Sequence, residues 1–249
     1  MIRIRSMLAV IGAVSGLLAA SPVLADPVGS TAAFTLNVDA CSSGCGISPA
    51  DYGTVTLTQE SSTEIQVDVA LAQTGCPSSP CVGFVSTGNG TNHPGFAFSL
   101  IGDPAVSITG ITAGFVVGAT NFTASGLGKF DYSLNCSACG SGASHPQPGP
   151  LIFDVTVSTG TISLASFVAN SPNGNYFAAD IGNPCIFTGD TKGCRKTGEV
   201  GGNSPPVIVE CTGPNCAVLI PEPMTIALFG AGLAGIGGLA RRRKAKKAA

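Results

Sequence analysis

The chain is expected to be all-β: an antiparallel, sandwich or jelly-roll-like domain pinned by local disulfides. An N-terminal signal peptide and a C-terminal transmembrane helix flank it. Three observations predict this. Apolar and polar residues alternate over most of the body, Gly, Pro, Asn and Ser fill the intervals, and nothing between the two ends repeats with a helical period. Period two places one side of a strand against a core and the other in water. Gly and Pro make up about a fifth of the 249 residues, below the level of roughly 25–30% that marks disorder. The body can therefore bury a core.

In chain order, residues 1–25 form a signal peptide. Arg3 and Arg5 are its positive start, Met7 to Ala20 is apolar, and Val23-Leu24-Ala25 supplies the small residues for cleavage between Ala25 and Asp26. Sec-type export machinery and a signal peptidase are the implied partners. Residues 26–182 form the β domain. Phe34, Leu36 and Val38 alternate with polar residues. So do Val55 and Leu57; Ile65, Val67, Val69 and Leu71; Phe96, Phe98 and Leu100; Val106 and Ile108; Phe130, Tyr132 and Leu134; and Leu151, Phe153, Val155 and Val157. Residues 103–118 fit two strands around Thr109-Gly110. About nine or ten short strands suit a sandwich. Residues 183–219, rich in Gly, Pro and Cys, read as a stalk or terminal hairpin.

Ten cysteines fall as five close pairs: Cys41/Cys45, Cys76/Cys81, Cys136/Cys139, Cys185/Cys194 and Cys211/Cys216. An even count in an exported chain points to disulfides. Short loops cost least to close, so pairing within each doublet is the simplest expectation. Cys136-Ser-Ala-Cys139 has the spacing of a redox motif, but it follows a strand-like run and precedes a stretch that cannot be a helix. A low-pKa thiol at a helix N-terminus is therefore not expected. A zinc site wants four Cys or His ligands, and His145 offers at most a third. No metal or cofactor is expected.

Charge is unevenly divided. The exported region holds Lys129, Lys192, Arg195 and Lys196 against all 14 acids, a net charge of −10. Nucleic acid does not suit such a body as a partner, because phosphate binding needs a basic face. His93 and His145 each adjoin a proline in a loop and are expected as solvated residues. No serine-nucleophile elbow or HExxH is present. Asp131 and Asp154 are the candidate carboxylates for glycoside hydrolysis, with a solvent-facing strand position as the favoured reading. No catalytic residue is assigned.

Residues 220–247 close the chain in three parts. Pro221-Glu222-Pro223 comes first. Residues 224–240 then run for 17 positions without charge, about 26 Å as a helix and at the short end of a membrane span. Arg241, Arg242, Arg243 and Lys244 lead a basic cluster, which stays cytoplasmic and places the preceding chain outside.

This order of tripeptide, apolar helix and basic terminus, in a chain with a signal peptide, resembles the PEP-CTERM sorting signal. The resemblance covers about the last 30 residues. It implies a bacterial exported protein whose Pro221, Glu222 and Pro223 are recognised by an exosortase, a membrane cysteine transpeptidase. The implied outcome is passage through the inner membrane to the cell surface or exopolysaccharide matrix, with a non-enzymatic structural or adhesive role and exopolysaccharide as a partner. A plain C-terminal anchor that is never cut is the alternative for the tail. A lectin-like carbohydrate-binding module and a carboxylate hydrolase are the alternatives for the body.

Overall fold

In the computed structural model the described residues are 25–41, 51–72, 82–86, 93–139, 142–170, 173–182 and 197–212. They form antiparallel β-sheet throughout, with one short 3-10 turn at Leu164–Ser166. The all-β expectation holds. The expected signal sequence up to Leu24, the tripeptide, the apolar run and the basic tail lie outside the described residues. Among the described residues no helix is long and apolar enough to cross a membrane.

The first sheet contains β1 (Thr31–Thr35), β3 (Gly53–Ser61), β4 (Glu64–Leu71), β7 (Val106–Thr109), β13 (Leu151–Val157) and β16 (Val207–Val209), in the order β16-β1-β3-β4-β13-β7. Its long strands are those with the clearest alternation. In β13 every second residue from Leu151 to Val157 is buried, and β3 and β4 repeat the pattern. The second sheet contains β2 (Val38–Asp39), β5 (Gly83–Ser86), β6 (Phe96–Phe98), β8 (Phe115–Val117), β11 (Tyr132–Cys136), β12 (Gly142–Gln147), β14 (Phe177–Gly182) and β15 (Thr197–Gly202). β14 is its centre. β15 pairs with it over its full length, while β6 and β5 pair with successive parts of it. β7 and β8 are the two strands expected between residues 103 and 118. The strand count exceeds the expected nine or ten because many strands are only two to four residues long.

An aromatic cluster joins the sheets. Phe34 and Phe153 from the first sheet meet Phe96, Phe98 and Phe177 from the second, and Phe167 closes the group. The second sheet is also covered on its far side. The hairpin of β9 (Phe122–Ala124) and β10 (Gly128–Phe130) lays Phe122, Leu127 and Phe130 over Ala97 and Ala178. The fold thus has a third, small layer. Alanines beneath it leave room for the rings.

Residues 197–212 belong to the segment expected as a stalk or terminal hairpin, yet they carry β15 and β16, one in each sheet. Val200 is fully buried in the main core. A Gly-rich run looks like a linker in sequence, but here the glycines let neighbouring backbone approach.

Gly53 shows the same requirement most sharply. It opens β3 at φ 149°, opposite Leu71. An added Cβ would collide with the Ala70 carbonyl oxygen and come within 2.9 Å of the Leu71 Cα. Both obstacles are backbone, so they cannot swing away. Gly53→Ala is expected to cost about 2–3 kcal/mol through strain and displacement. Urea unfolding measures this directly, and a loss below about 0.5 kcal/mol, the range of neutral surface changes, would contradict the close approach.

Candidate functional site

The site lies where β14 and β15 pair. Asp180 and Glu199 stand directly opposite each other in the antiparallel register. Side chains alternate across a strand, and Ala179, Ile181 and Val200 point into the main core. Asp180 and Glu199 therefore share the opposite face with Ala178. Both are buried, Glu199 being 1% exposed. His93, two residues before Gly95 on the approach to β6, completes the group. Its Nδ1 lies 3.1 Å from Glu199 Oε1, and its side chain is 28% exposed. One ligand atom from each of His93, Asp180 and Glu199 falls within 4.8 Å of the others.

The surrounding backbone fixes these positions. β2 runs beside β15, with Asp39 opposite Val200, and the Ala40 N–H donates to the Glu199 carbonyl at 3.0 Å. β2 is itself held by the buried Tyr52, whose hydroxyl donates to Asp39 Oδ2 at 2.7 Å. Gly198 lets Cys41 pack against β15: a Cβ there would sit 3.0 Å from the Cys41 Cα.

Burial acts first on Glu199. It pushes the carboxyl up to about 7, aided by the Asp180 charge and opposed by the His93 hydrogen bond and charge. His93 is raised above the ordinary imidazole range, chiefly by its hydrogen bond to Glu199. The Glu199 and Asp180 charges add to that, and partial burial opposes it. Glu199 Oε2 is buried and has no hydrogen-bond partner among the described residues.

This corrects one expectation. His93 lies in a loop as expected, but instead of being solvated it is half-buried against a buried acid. The residues are far apart in the chain and match no local motif. The available signal was an isolated acid within each of two otherwise apolar or Gly-rich runs, Phe177–Gly182 and Thr197–Gly202.

The other residues singled out from sequence are separate from this group. Asp154 lies in β13 of the first sheet, where Gln66 Nε2 donates to its Oδ1 at 3.4 Å. Asp131 lies between β10 and β11, with its N–H donating to Ser99 Oγ. Asp154 thus sits on a strand as expected, whereas Asp131 sits in a bend between two strands rather than within one, and the two acids have different partners. Cys136 and Cys139 form a disulfide within their doublet, with Cα atoms 5.4 Å apart. Cys41 and Cys211 are also disulfide-bonded, and no described cysteine is free. Cys45, Cys76, Cys81, Cys185, Cys194 and Cys216 lie outside the described residues, as do Pro221, Glu222, Pro223, Arg241, Arg242, Arg243 and Lys244. At the expected cleavage point, Asp26 Oδ2 accepts a hydrogen bond from the Leu164 N–H at 2.8 Å.

These features define a class: an all-β, antiparallel, disulfide-bearing protein with a partly exposed histidine set against two buried carboxylates. Comparison with protein-family models, curated proteins and solved structures finds no match to this chain.

Proposed function

We propose that the chain is an exported bacterial surface or extracellular-matrix protein, non-enzymatic, and delivered by an exosortase-type system. Its role in the exopolysaccharide matrix is structural or adhesive. The observation that carries this reading is the order of parts at residues 221–247: Pro221-Glu222-Pro223, an uncharged run, then a basic cluster, in a chain whose first 25 residues have the composition expected of a signal peptide. A disulfide at Cys136–Cys139 is consistent with an oxidising compartment. The acidic body suits a soluble domain held away from anionic lipid.

Mass spectrometry of the C-terminal peptide of the protein from its own cells tests the reading. Processing predicts a terminus near Pro221–Met224. Recovery of Ala249 as the terminus would leave an ordinary anchor and rule out exosortase processing.

A further inference from the structure

The His93, Asp180 and Glu199 cluster differs from an ordinary surface group of acids in three ways. Its two carboxylates are buried and directly opposite on paired strands. Like charges so placed repel each other. Its ligand set is mixed, an imidazole joining the carboxylates within 4.8 Å. Finally, Glu199 uses Oε1 toward His93 while Oε2, also buried, has no hydrogen-bond partner among the described residues. A buried carboxylate oxygen without a donor is a position that a cation can fill.

We propose that His93, Asp180 and Glu199 bind one divalent transition-metal ion of the zinc class. The donor chemistry selects the metal. Imidazole suits zinc and its neighbours, whereas calcium and magnesium take oxygen alone. Two carboxylates and a neutral imidazole also make the loaded site neutral. Tetrahedral zinc, with ligands at about 2.0–2.2 Å, spaces its donors about 3.4 Å apart. The present spread closes to that with modest side-chain rotation. On binding, Glu199 gives up to solvent any proton that its burial retains, His93 likewise loses any Nδ1 proton, and His93 exchanges its bond to Glu199 for one to the metal. Asp180 and Glu199 ride on adjacent strands of one sheet, a rigid mount. His93, partly exposed, is the entry side. Three protein ligands leave the fourth position to water or to a group on a partner molecule. This inference stands apart from the export reading, and either can fail alone.

The test uses the full chain purified without reductant, stripped with EDTA and titrated calorimetrically with Zn2+. The expected result is one ion per chain. Glu199→Gln and Asp180→Asn each remove a charge but keep the shape. Each should weaken Zn2+ binding by more than about 100-fold, since even groups behind a ligand are worth about 10–100-fold. Failure of the folded wild-type chain to take up Zn2+, unchanged affinity in both variants, or preference for Ca2+ would overturn the proposal. X-ray absorption of the zinc-loaded wild type gives an answer that needs no variant. One imidazole and otherwise oxygen neighbours support the site, while sulfur in the shell overturns it.

Discussion

Phe177→Ala is expected to remove about 4 kcal/mol of stability, within the 3–5 kcal/mol typical of buried Phe truncation. Phe177 is fully buried on β14. Its ring meets Phe34 edge-on at 4.9 Å and stacks on Phe96 at 5.6 Å. Phe167 lies at 6.1 Å. The ring thus touches both sheets and the chain that closes the cluster. Truncation leaves a cavity with aromatic walls that cannot collapse independently, because the same rings pack on Phe153 and, through Phe98, on Tyr132. For a domain of this size the loss corresponds to roughly 8–16 °C in the thermal midpoint. Val207→Ala is the control, since Val207 is 69% exposed and should shift the midpoint by little. Calorimetry on both variants decides the matter. If they differ by less than a few degrees, the aromatic cluster does not hold the sheets together.

The second large effect is on pH. Glu199 titrates near 4.5 when unfolded and near 7 when folded, so the folded state holds this proton more tightly. The corresponding stability is complete below pH 4.5 and is lost as pH rises through about 7. His93 is also raised and has the same sign: its contribution is present below its unfolded pKa near 6.5 and fades above its folded value. His93 and Glu199 titrate as one hydrogen-bonded pair, so their contributions are not additive, and the pair together should account for about 3 kcal/mol, each tenfold gain in proton affinity on folding being worth about 1.4 kcal/mol. The metal-free chain should therefore be more stable at about pH 5 than at about pH 8, and Glu199→Gln should flatten most of that slope. Denaturant unfolding across this window measures it. A stability that rises across the same window would mean that Glu199 is ionised at low cost in the folded chain.

Much of the architecture was legible because a sheet with one wet face writes its geometry as period two. β3, β4 and β13 show it residue by residue. β14 did not show it. Phe-Ala-Ala-Asp-Ile-Gly is buried on both faces, because the β9–β10 hairpin and the acid pair's surroundings cover the side that would otherwise meet water. β15, Thr-Gly-Glu-Val-Gly-Gly, resembles a linker by composition, and only its pairing partner makes it a strand. The candidate site lies on these two strands, with His93 brought in from a loop. Its assembly depends on strand register between distant segments, which spacing along the chain does not encode. The Cys136–Cys139 bridge was legible for the opposite reason: its closure is local.

The chain ends of the domain also meet. β1 and β16 are antiparallel neighbours, with Thr31 opposite Val209, and the Cys211 N–H donates to Ser30 Oγ at 3.1 Å. Both ends therefore leave from one pole of the first sheet. A load applied between them would peel β16 from β1 one hydrogen bond at a time, because the bonds of an antiparallel ladder lie across the strands. A load between the C-terminal end and a point at the opposite pole would pull along β16 and strain its bonds together. The domain is thus mechanically weak to tension across its own ends and stronger when held at one end and gripped at the other. Single-molecule pulling in the two geometries would resolve these as a low and a high rupture force.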